Sequence, residues 1–167
     1  NRTILSLPSL QKRPHAEWKK NGWWGQDPLW KRVLKESQAQ PQKLAVIDEN
    51  FEISYSELWR ESVVCASALK HLGLERGNIA LVQLPNWNEF CSIMIGCELA
   101  NVIFAFCPVT WGVRECTRAL ELLKPSVWFT VGNYLGDDRT DLLDACVKSM
   151  LHKCEVVLLR SENTAFR

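Results

Sequence analysis

The feature that most constrains the fold is an alternation in the second half of the chain. Four short apolar runs, Ile79–Leu84 (IALVQL), Ile103–Cys107 (IFAFC), Val127–Val131 (VWFTV) and Glu155–Leu159 (EVVLL), are separated by longer segments with apolar residues at helical spacing. A run of about six residues closed by turn residues predicts a strand buried on both faces. Parallel strands need that burial, and the crossover helices that join them supply it. The reading is a doubly wound, mostly parallel α/β sheet with flanking helices. Such sheets bind ligands at the carboxyl ends of their strands, so the loops at Pro85–Trp87 and Cys107–Thr110 are the first places to look for chemistry.

The segments upstream add a small amino-terminal β-hairpin. Asp27-Pro28 predicts a helix start, with Asp27 as the N-cap, running to about Ala39 with Leu29, Trp30, Val33 and Leu34 as its apolar stripe and Pro41 as its stop. LAVID (Leu44–Asp48) and FEI (Phe51–Ile53), joined by Glu49-Asn50, read as the hairpin. Ser54 and Glu57 form a capping box for the next helix, which Gly73 closes in a left-handed turn before the Gly77 connection. Asn86 with Glu89 repeats the cap pattern for a helix striped by Phe90, Ile93, Met94 and Cys97. Pro85 and Pro108 punctuate strand ends, and further helices are expected from about Thr110 to Lys124-Pro125 and from Thr140 to His152. Residues 1–26 read as an irregular arm and residues 27–167 as a single α/β unit.

Composition narrows the function classes. At 167 residues, 47% apolar and 23% charged, the chain is large enough for one core that buries roughly 70% of its unfolded surface. A net charge of +1, with scattered Lys and Arg, argues against nucleic-acid binding. No apolar stretch approaches the roughly 18 to 20 residues of a membrane span, since Gln83, Glu98 and Asn101 interrupt the longest runs; a soluble protein is expected. Seven cysteines without a C-x-x-C pair suit a reducing compartment. That places the protein in the cytoplasm, with the mitochondrial matrix as the alternative because the first sixteen residues hold Arg2, Lys12 and Arg13 and no acid; Pro8 and Pro14 oppose an amphipathic targeting helix there. The chain opens on Asn1, which suits an excerpt or a processed form.

Individual chemistry-bearing residues favour structural roles. Cys107 ends a strand, where a nucleophile could be displayed, but it follows four apolar residues and has no nearby histidine. Cys91 and Cys97 share a helix without metal-ligand spacing. His71 and His152 lie near helix C-termini, where a cationic ring is favoured, and His15 lies in the arm. Trp30, Trp59, Trp87 and Trp128 fall within patterned elements and read as core or contact residues, whereas Trp23-Trp24 suit a seam with a further domain. Asp137, Asp138 and Asp141 read as a solvated loop that caps the next helix, ahead of a cation site. No catalytic, cofactor-binding or metal-binding residue is assigned.

With those motifs in place, the chain resembles the adenylate-forming ligase superfamily. ISYSELWRES (Ile53–Ser62) is similar to its tyrosine-containing first core motif, and AVID (Ala45–Asp48), GLERGNIALVQLPNWNEF (Gly73–Phe90) and GCELANVIFAFCPV (Gly96–Val109) resemble its opening blocks in order. EWKKNGWWGQDPLW (Glu17–Trp30) is similar to the lead-in of the branch that activates aryl, cyclic or fatty acids. The resemblance covers about Glu17 to Val131. It departs from the family at Ala100-Asn101-Val102, where relatives carry a small-residue step, and at Trp111-Gly112.

The resemblance implies part of a larger ligase fold. A complete relative converts a carboxylate and ATP into an acyl-adenylate and pyrophosphate, then passes the acyl group to coenzyme A or a carrier protein, using Mg²⁺. Its phosphate loop, ribose-binding acid, Mg²⁺-binding glutamate and mobile carboxy-terminal lysine lie downstream of these blocks. Gly132–Gly136 is followed by Asp137-Asp138, which repel phosphate, and no Gly-Lys-Ser/Thr sequence occurs. The expectation is therefore an amino-terminal subdomain that is inactive alone, binds no cofactor itself, and has as partners the remaining ligase subdomains, in cis or in trans, with self-association through its exposed seam. A non-enzymatic partner domain is the alternative, ahead of a free-standing flavodoxin-like nucleotide-binding domain.

Overall fold

The computed structural model describes residues 15–160 apart from 24 and 26. In chain order the elements are α1 (His15–Lys20), α2 (Leu29–Ala39), β1 (Leu44–Ile47), β2 (Glu52–Ser54), α3 (Tyr55–His71), β3 (Ile79–Val82), α4 (Asn88–Ala100), β4 (Ile103–Phe106), α5 (Val113–Leu123), β5 (Val127–Thr130), β6 (Asn133–Tyr134), β7 (Asp137–Asp138), α6 (Thr140–Ser149) and β8 (Glu155–Leu158). The main sheet has the order β4-β3-β5-β8, and every neighbouring pair is parallel. Strand pleating sends Ala80, Val82, Val127 and Phe129 to one face, where Ala66 and Leu69 of α3 and Ile93, Cys97 and Ala100 of α4 cover them. Leu81 and Trp128 point to the other face, against Cys116 and Leu120 of α5 and Leu143 and Cys146 of α6. The doubly wound α/β architecture expected from the alternating runs is thus present, with the antiparallel β1–β2 hairpin beside it. A third small cluster, Val33, Ile53, Leu58 and Ile95, ties the hairpin and α2 to α3 and α4.

Helix α3 starts as its capping box requires. The Glu57 N–H donates to Ser54 Oγ at 3.3 Å, and the Ser54 N–H donates to the Glu57 carboxylate at 2.8 Å. Two other expected caps are corrected. Asp27 does not cap α2; Pro28 occupies the N-cap, and the N–H groups of Leu29 and Trp30 donate to the Glu98 carboxylate of α4 at 3.2 and 3.0 Å. Asn86 and Glu89 do not cap α4 either, because the helix begins at Asn88, whose N–H donates to Asp48 Oδ2 at 3.0 Å. In both cases a carboxylate brought from elsewhere in the chain displaces the local candidate.

Three boundaries and one segment also move. Helix α5 starts at Val113, after a turn in which the Trp111 N–H donates to the Pro108 carbonyl. Helix α6 ends at Ser149, because Met150 is extended. Strand β3 ends at Val82, short of Leu84. Within the segment read as an irregular arm, His15–Lys20 is a short helix with Glu17 in its first turn and Lys19 and Lys20 in its last, the charge order that the helix dipole favours. The expectations for residues 1–14 and for Trp24 lie outside the described residues.

Helices α3 and α4 approach closely at Gly96. A Cβ there would lie 2.8 Å from both Cβ and Sγ of Cys65 and 3.0 Å from the Ser62 carbonyl oxygen. Asn101, at the family's small-residue step, takes the left-handed conformation at φ 59° that ends α4, a conformation that asparagine tolerates better than most residues. Gly96→Ala gains roughly 1 kcal/mol of helix propensity but overpacks this seam at a cost of about 1 to 3 kcal/mol. A lower denaturation midpoint in urea is the expected outcome, since the atoms met are anchored near the backbone.

A small hairpin that the sequence reading did not anticipate joins β6 to β7. Asn133 pairs with Asp138 and Tyr134 with Asp137, leaving Leu135-Gly136 as the turn, both at positive φ (53° and 85°). Two-residue turns of this kind favour Asn-Gly, and a left-handed leucine costs roughly 1 to 2 kcal/mol. Leu135 is also 86% exposed. Leu135→Asn is therefore expected to raise the thermal midpoint, by about 1 kcal/mol in stability.

Candidate functional site

The carboxyl ends of β3, β4, β5 and β8 present the loops where a sheet of this kind places ligands. Two buried polar side chains organise them. Gln83, fully buried just beyond β3, donates through Nε2 to the Pro108 carbonyl at 3.1 Å and to Cys116 Sγ at 3.2 Å, and its Oε1 accepts from Thr130 Oγ1 at 3.3 Å. It joins the ends of three elements. Arg139, 5% exposed, donates Nη1 to the Val109 carbonyl and Nη2 to the Trp111 carbonyl at 3.0 Å, which fixes the loop between β4 and α5. Its Nε is enclosed without a hydrogen-bond partner, and no carboxylate pairs with it among the described residues.

A second constellation lies where the chain leaves β8. Arg160 grips Glu89 through Nε and Nη2, each at 2.8 Å, and Nη2 also reaches Asp48 Oδ2 at 2.7 Å. Its guanidinium centre lies 4.2 Å from the Trp87 ring centroid and 4.7 Å from that of Phe51, so two aromatic faces hold it. Asp48, with a side chain only 2% exposed, accepts in addition from the N–H groups of Asn50 and Phe51 and caps α4. Burial pushes its carboxyl up, but the Asn50 N–H, the Arg160 guanidinium and the Asn88 and Phe51 N–H groups outweigh it and hold the carboxyl well below the usual carboxylate range. The hairpin, the start of α4 and the end of β8 meet on one ion pair network.

These interactions decide what the strand ends can bind. A helix N-terminus attracts anions through its free N–H groups and its dipole. Here the protein's own acids take those positions: Glu98 at α2, Glu57 at α3, Asp48 at α4, and Asp138 at α6, where it accepts from the N–H and hydroxyl of Thr140 at 2.9 and 2.6 Å. At α5 the N-cap is Gly112 without a side-chain cap, and Glu115 sits in the first turn. Among the described residues no group of three or more His, Cys, Asp or Glu side chains is arranged to hold a metal ion. The arrangement fixes loops, and among the described residues it does not align a nucleophile with a base.

The residues singled out in the sequence fall mostly into packing roles. Cys107 is buried, and burial pushes its thiol up to about 11 despite the opposing pull of Arg139. Cys97 is pushed to about 12 by burial and by Cys65, and burial also raises Cys91. Trp30 packs on Trp59 with centroids 6.4 Å apart, Trp87 stacks on Arg160, and Trp128 is fully buried with Nε1 unpartnered. Trp23 is 75% exposed. His71 is the last residue of α3 and is exposed. His152 lines a cavity of about 280 Å³ with Leu120, Lys124 and Met150, at the end of the sheet opposite the strand-end loops. The acidic segment read as a solvated loop forms β7 at Asp137-Asp138; Arg139 takes the N-cap of α6, Asp138 accepts from the Thr140 N–H, and Asp141 is exposed in the first turn of α6.

Gln83, Arg139 and Arg160 were not singled out. A signal for Gln83 was available, since a lone amide inside an apolar strand must find partners. Arg139 was hidden by its acidic neighbours, and nothing local marks Arg160.

The Asp48 network makes a pH-dependent contribution of known sign. Its carboxyl is depressed in the folded state, so the stabilisation is complete above about pH 5 and is lost as pH falls below the ordinary aspartate value of about 3.9. Urea denaturation of wild type and Asp48→Asn across that range should show a stability gap that is widest above pH 5 and narrows in acid; a gap independent of pH would show that Asp48 carries no such charge interaction.

Comparison with known proteins places this architecture. The family model described as AMP-binding enzyme matches residues 33–166. Pseudomonine synthase PmsE of Pseudomonas entomophila is 39% identical over 82 residues, 49% of this chain and 13% of that protein. Medium-chain fatty-acid–CoA ligase of Escherichia coli is 25% identical over 122 residues, 72% of this chain and 22% of that one. Among solved structures, acetoacetyl-CoA synthetase from Streptomyces lividans superposes with a TM-score of 0.71 at 22% identity, over 82% of this chain and 23% of its own. The apo structure of Mycobacterium smegmatis MbtA gives 0.68 at 24% identity, over 88% and 26%. At such identities the structural likeness speaks to fold. The chain spans only 13% and 22% of the two curated relatives.

Proposed function

The chain belongs to the AMP-binding enzyme family, and from that premise we propose that residues 27–167 form the amino-terminal α/β subdomain of an AMP-forming acid ligase. Such an enzyme activates a carboxylate as its acyl-adenylate and passes it to the thiol of coenzyme A or a carrier protein. The carrying observation is the family match over 33–166, with the helix starts behind β3 and β5 taken by Asp48 and Asp138.

ATP and Mg²⁺ do not fit the residues described. A triphosphate needs free N–H groups or available cations; at the strand ends Asp48 and Asp138 take the starts of α4 and α6, and Arg139 is buried with Nη1 and Nη2 donating to the Val109 and Trp111 carbonyls. Charge stabilisation in phosphoryl-type chemistry commonly supplies on the order of 8 kcal/mol, against roughly 1 kcal/mol from one helix end. The 167-residue chain on its own therefore supplies scaffold, and segments outside it supply the phosphate, metal and acyl-transfer groups.

A role as a docking partner for a chain carrying those segments is the second reading. Its support is the edge strand β4, where Phe106 is 69% and Ile103 51% exposed and Phe106 extends the Phe90–Phe104 aromatic contact outward.

Isothermal titration with ATP and Mg²⁺, run beside a pyrophosphate-release assay with aryl and medium-chain acids, tests the proposal. No binding heat and no acid-dependent pyrophosphate are expected from the chain alone. Acid-dependent release would overturn the assignment of the chemistry to other segments.

A further inference from the structure

A cavity at the far end of the sheet carries chemistry that the ligase reading leaves unused. Strands β5 and β8 are parallel neighbours, so the helices that lead into them, α5 and α6, end beside each other where those strands begin. The ends of the two helices and the links that follow them enclose about 280 Å³. Leu120 and Met150 give this cavity apolar walls, and Leu151, wholly exposed, stands beside them. Glu121 brings an anion to it and Lys124 a cation.

These two charges do not pair with each other. Glu121 meets Arg118 at 3.6 Å, in a pair whose side chains are both more than half exposed and therefore weakly held. Lys124 has no carboxylate partner among the described residues. It also stands in a conformation that its side chain opposes, closing α5 at φ 45° and ψ 57°, the left-handed position where helices commonly place glycine. We propose that this cavity binds a free apolar α-amino acid. Its carboxylate pairs with Lys124, its ammonium with Glu121, and its side chain lies against Leu120 and Met150.

The balance of charge selects a zwitterion over either half of it. Helices α5 and α6 both present their negative dipole ends here, which together with Glu121 favour an ammonium and oppose a plain carboxylate. Lys124 opposes a plain amine. A molecule with both charges at one end and an apolar body satisfies all of these groups. The volume lies at the lower limit of ligand pockets, roughly 300 Å³, which suits a molecule of this size. His152, also on the wall, has Nε2 enclosed without a hydrogen-bond partner, and an unmet polar atom of that kind costs stability. A turn of the ring toward the polar head of an occupant removes that cost. The cavity is at the opposite end of the sheet from the strand-end loops, so this inference stands or falls apart from the ligase reading.

Isothermal titration of the 167-residue chain with L-leucine and L-phenylalanine, beside isocaproate and isoamylamine, tests it. The amino acids are expected to bind. Isocaproate lacks the ammonium and isoamylamine the carboxylate, so each should bind at least about tenfold more weakly than leucine. Lys124→Gly removes the cation and relieves the left-handed turn, and should lose at least about tenfold in affinity while its melting temperature is kept. Glu121→Gln, at an exposed position of α5, should weaken binding as well. In proton NMR the His152 ring resonances should shift when leucine is added, while those of His71 on α3 stay in place. No binding heat from either amino acid, isocaproate or isoamylamine binding as tightly as leucine, or unchanged affinity in both variants would each overturn the proposal.

Discussion

Everything in this structure depends on the requirement that a parallel sheet be covered on both faces. Four strands with all neighbours parallel leave no face for water, so the chain must return over the sheet between successive strands. That requirement accounts for α3 and α4 on one side and α5 and α6 on the other. It also explains Gly96: two helices that share one face must approach closely enough to leave no gap, and at that point only a residue without a side chain fits against Cys65.

Carboxylates do an unusual share of the work of joining these layers. Glu98 closes α2 from α4, and Asp48 closes α4 from the hairpin, so these two helix starts are satisfied by other elements. Such caps settle helix position as well as helix stability, because the acid must stand where the free N–H groups point. They also consume the positive ends that would otherwise draw an anionic ligand. Membership in an AMP-binding family and the filled helix ends of this part of it fit together if the phosphate groups are held by other segments.

The parts of the fold written in nearest neighbours were legible in the sequence. Ser54 and Glu57 stand three residues apart and close a box that needs no other element, and the four apolar runs each became a strand of the main sheet. Whatever depended on distant partners was not. Asp27-Pro28 has the local chemistry of a cap, yet Glu98, 69 residues from Leu29, took the role. The β6–β7 hairpin was hidden because its turn is Leu135-Gly136, a pair whose first member opposes the conformation it adopts. Of the strand-end network, Cys107 and Trp87 could be located by position, whereas Arg139 and Arg160 act through contacts that no spacing announces.

The ion pair between Arg160 and Asp48 joins residues 112 positions apart. Contacts of such separation close late, since the entropy of a long loop must be met before they return anything. During synthesis, at roughly 5 to 20 residues per second, Asp48 precedes Arg160 from the ribosome by on the order of ten seconds. The residue behind the last strand thus supplies the cation on which the hairpin and the start of α4 converge, which makes the end of β8 the latch of the fold.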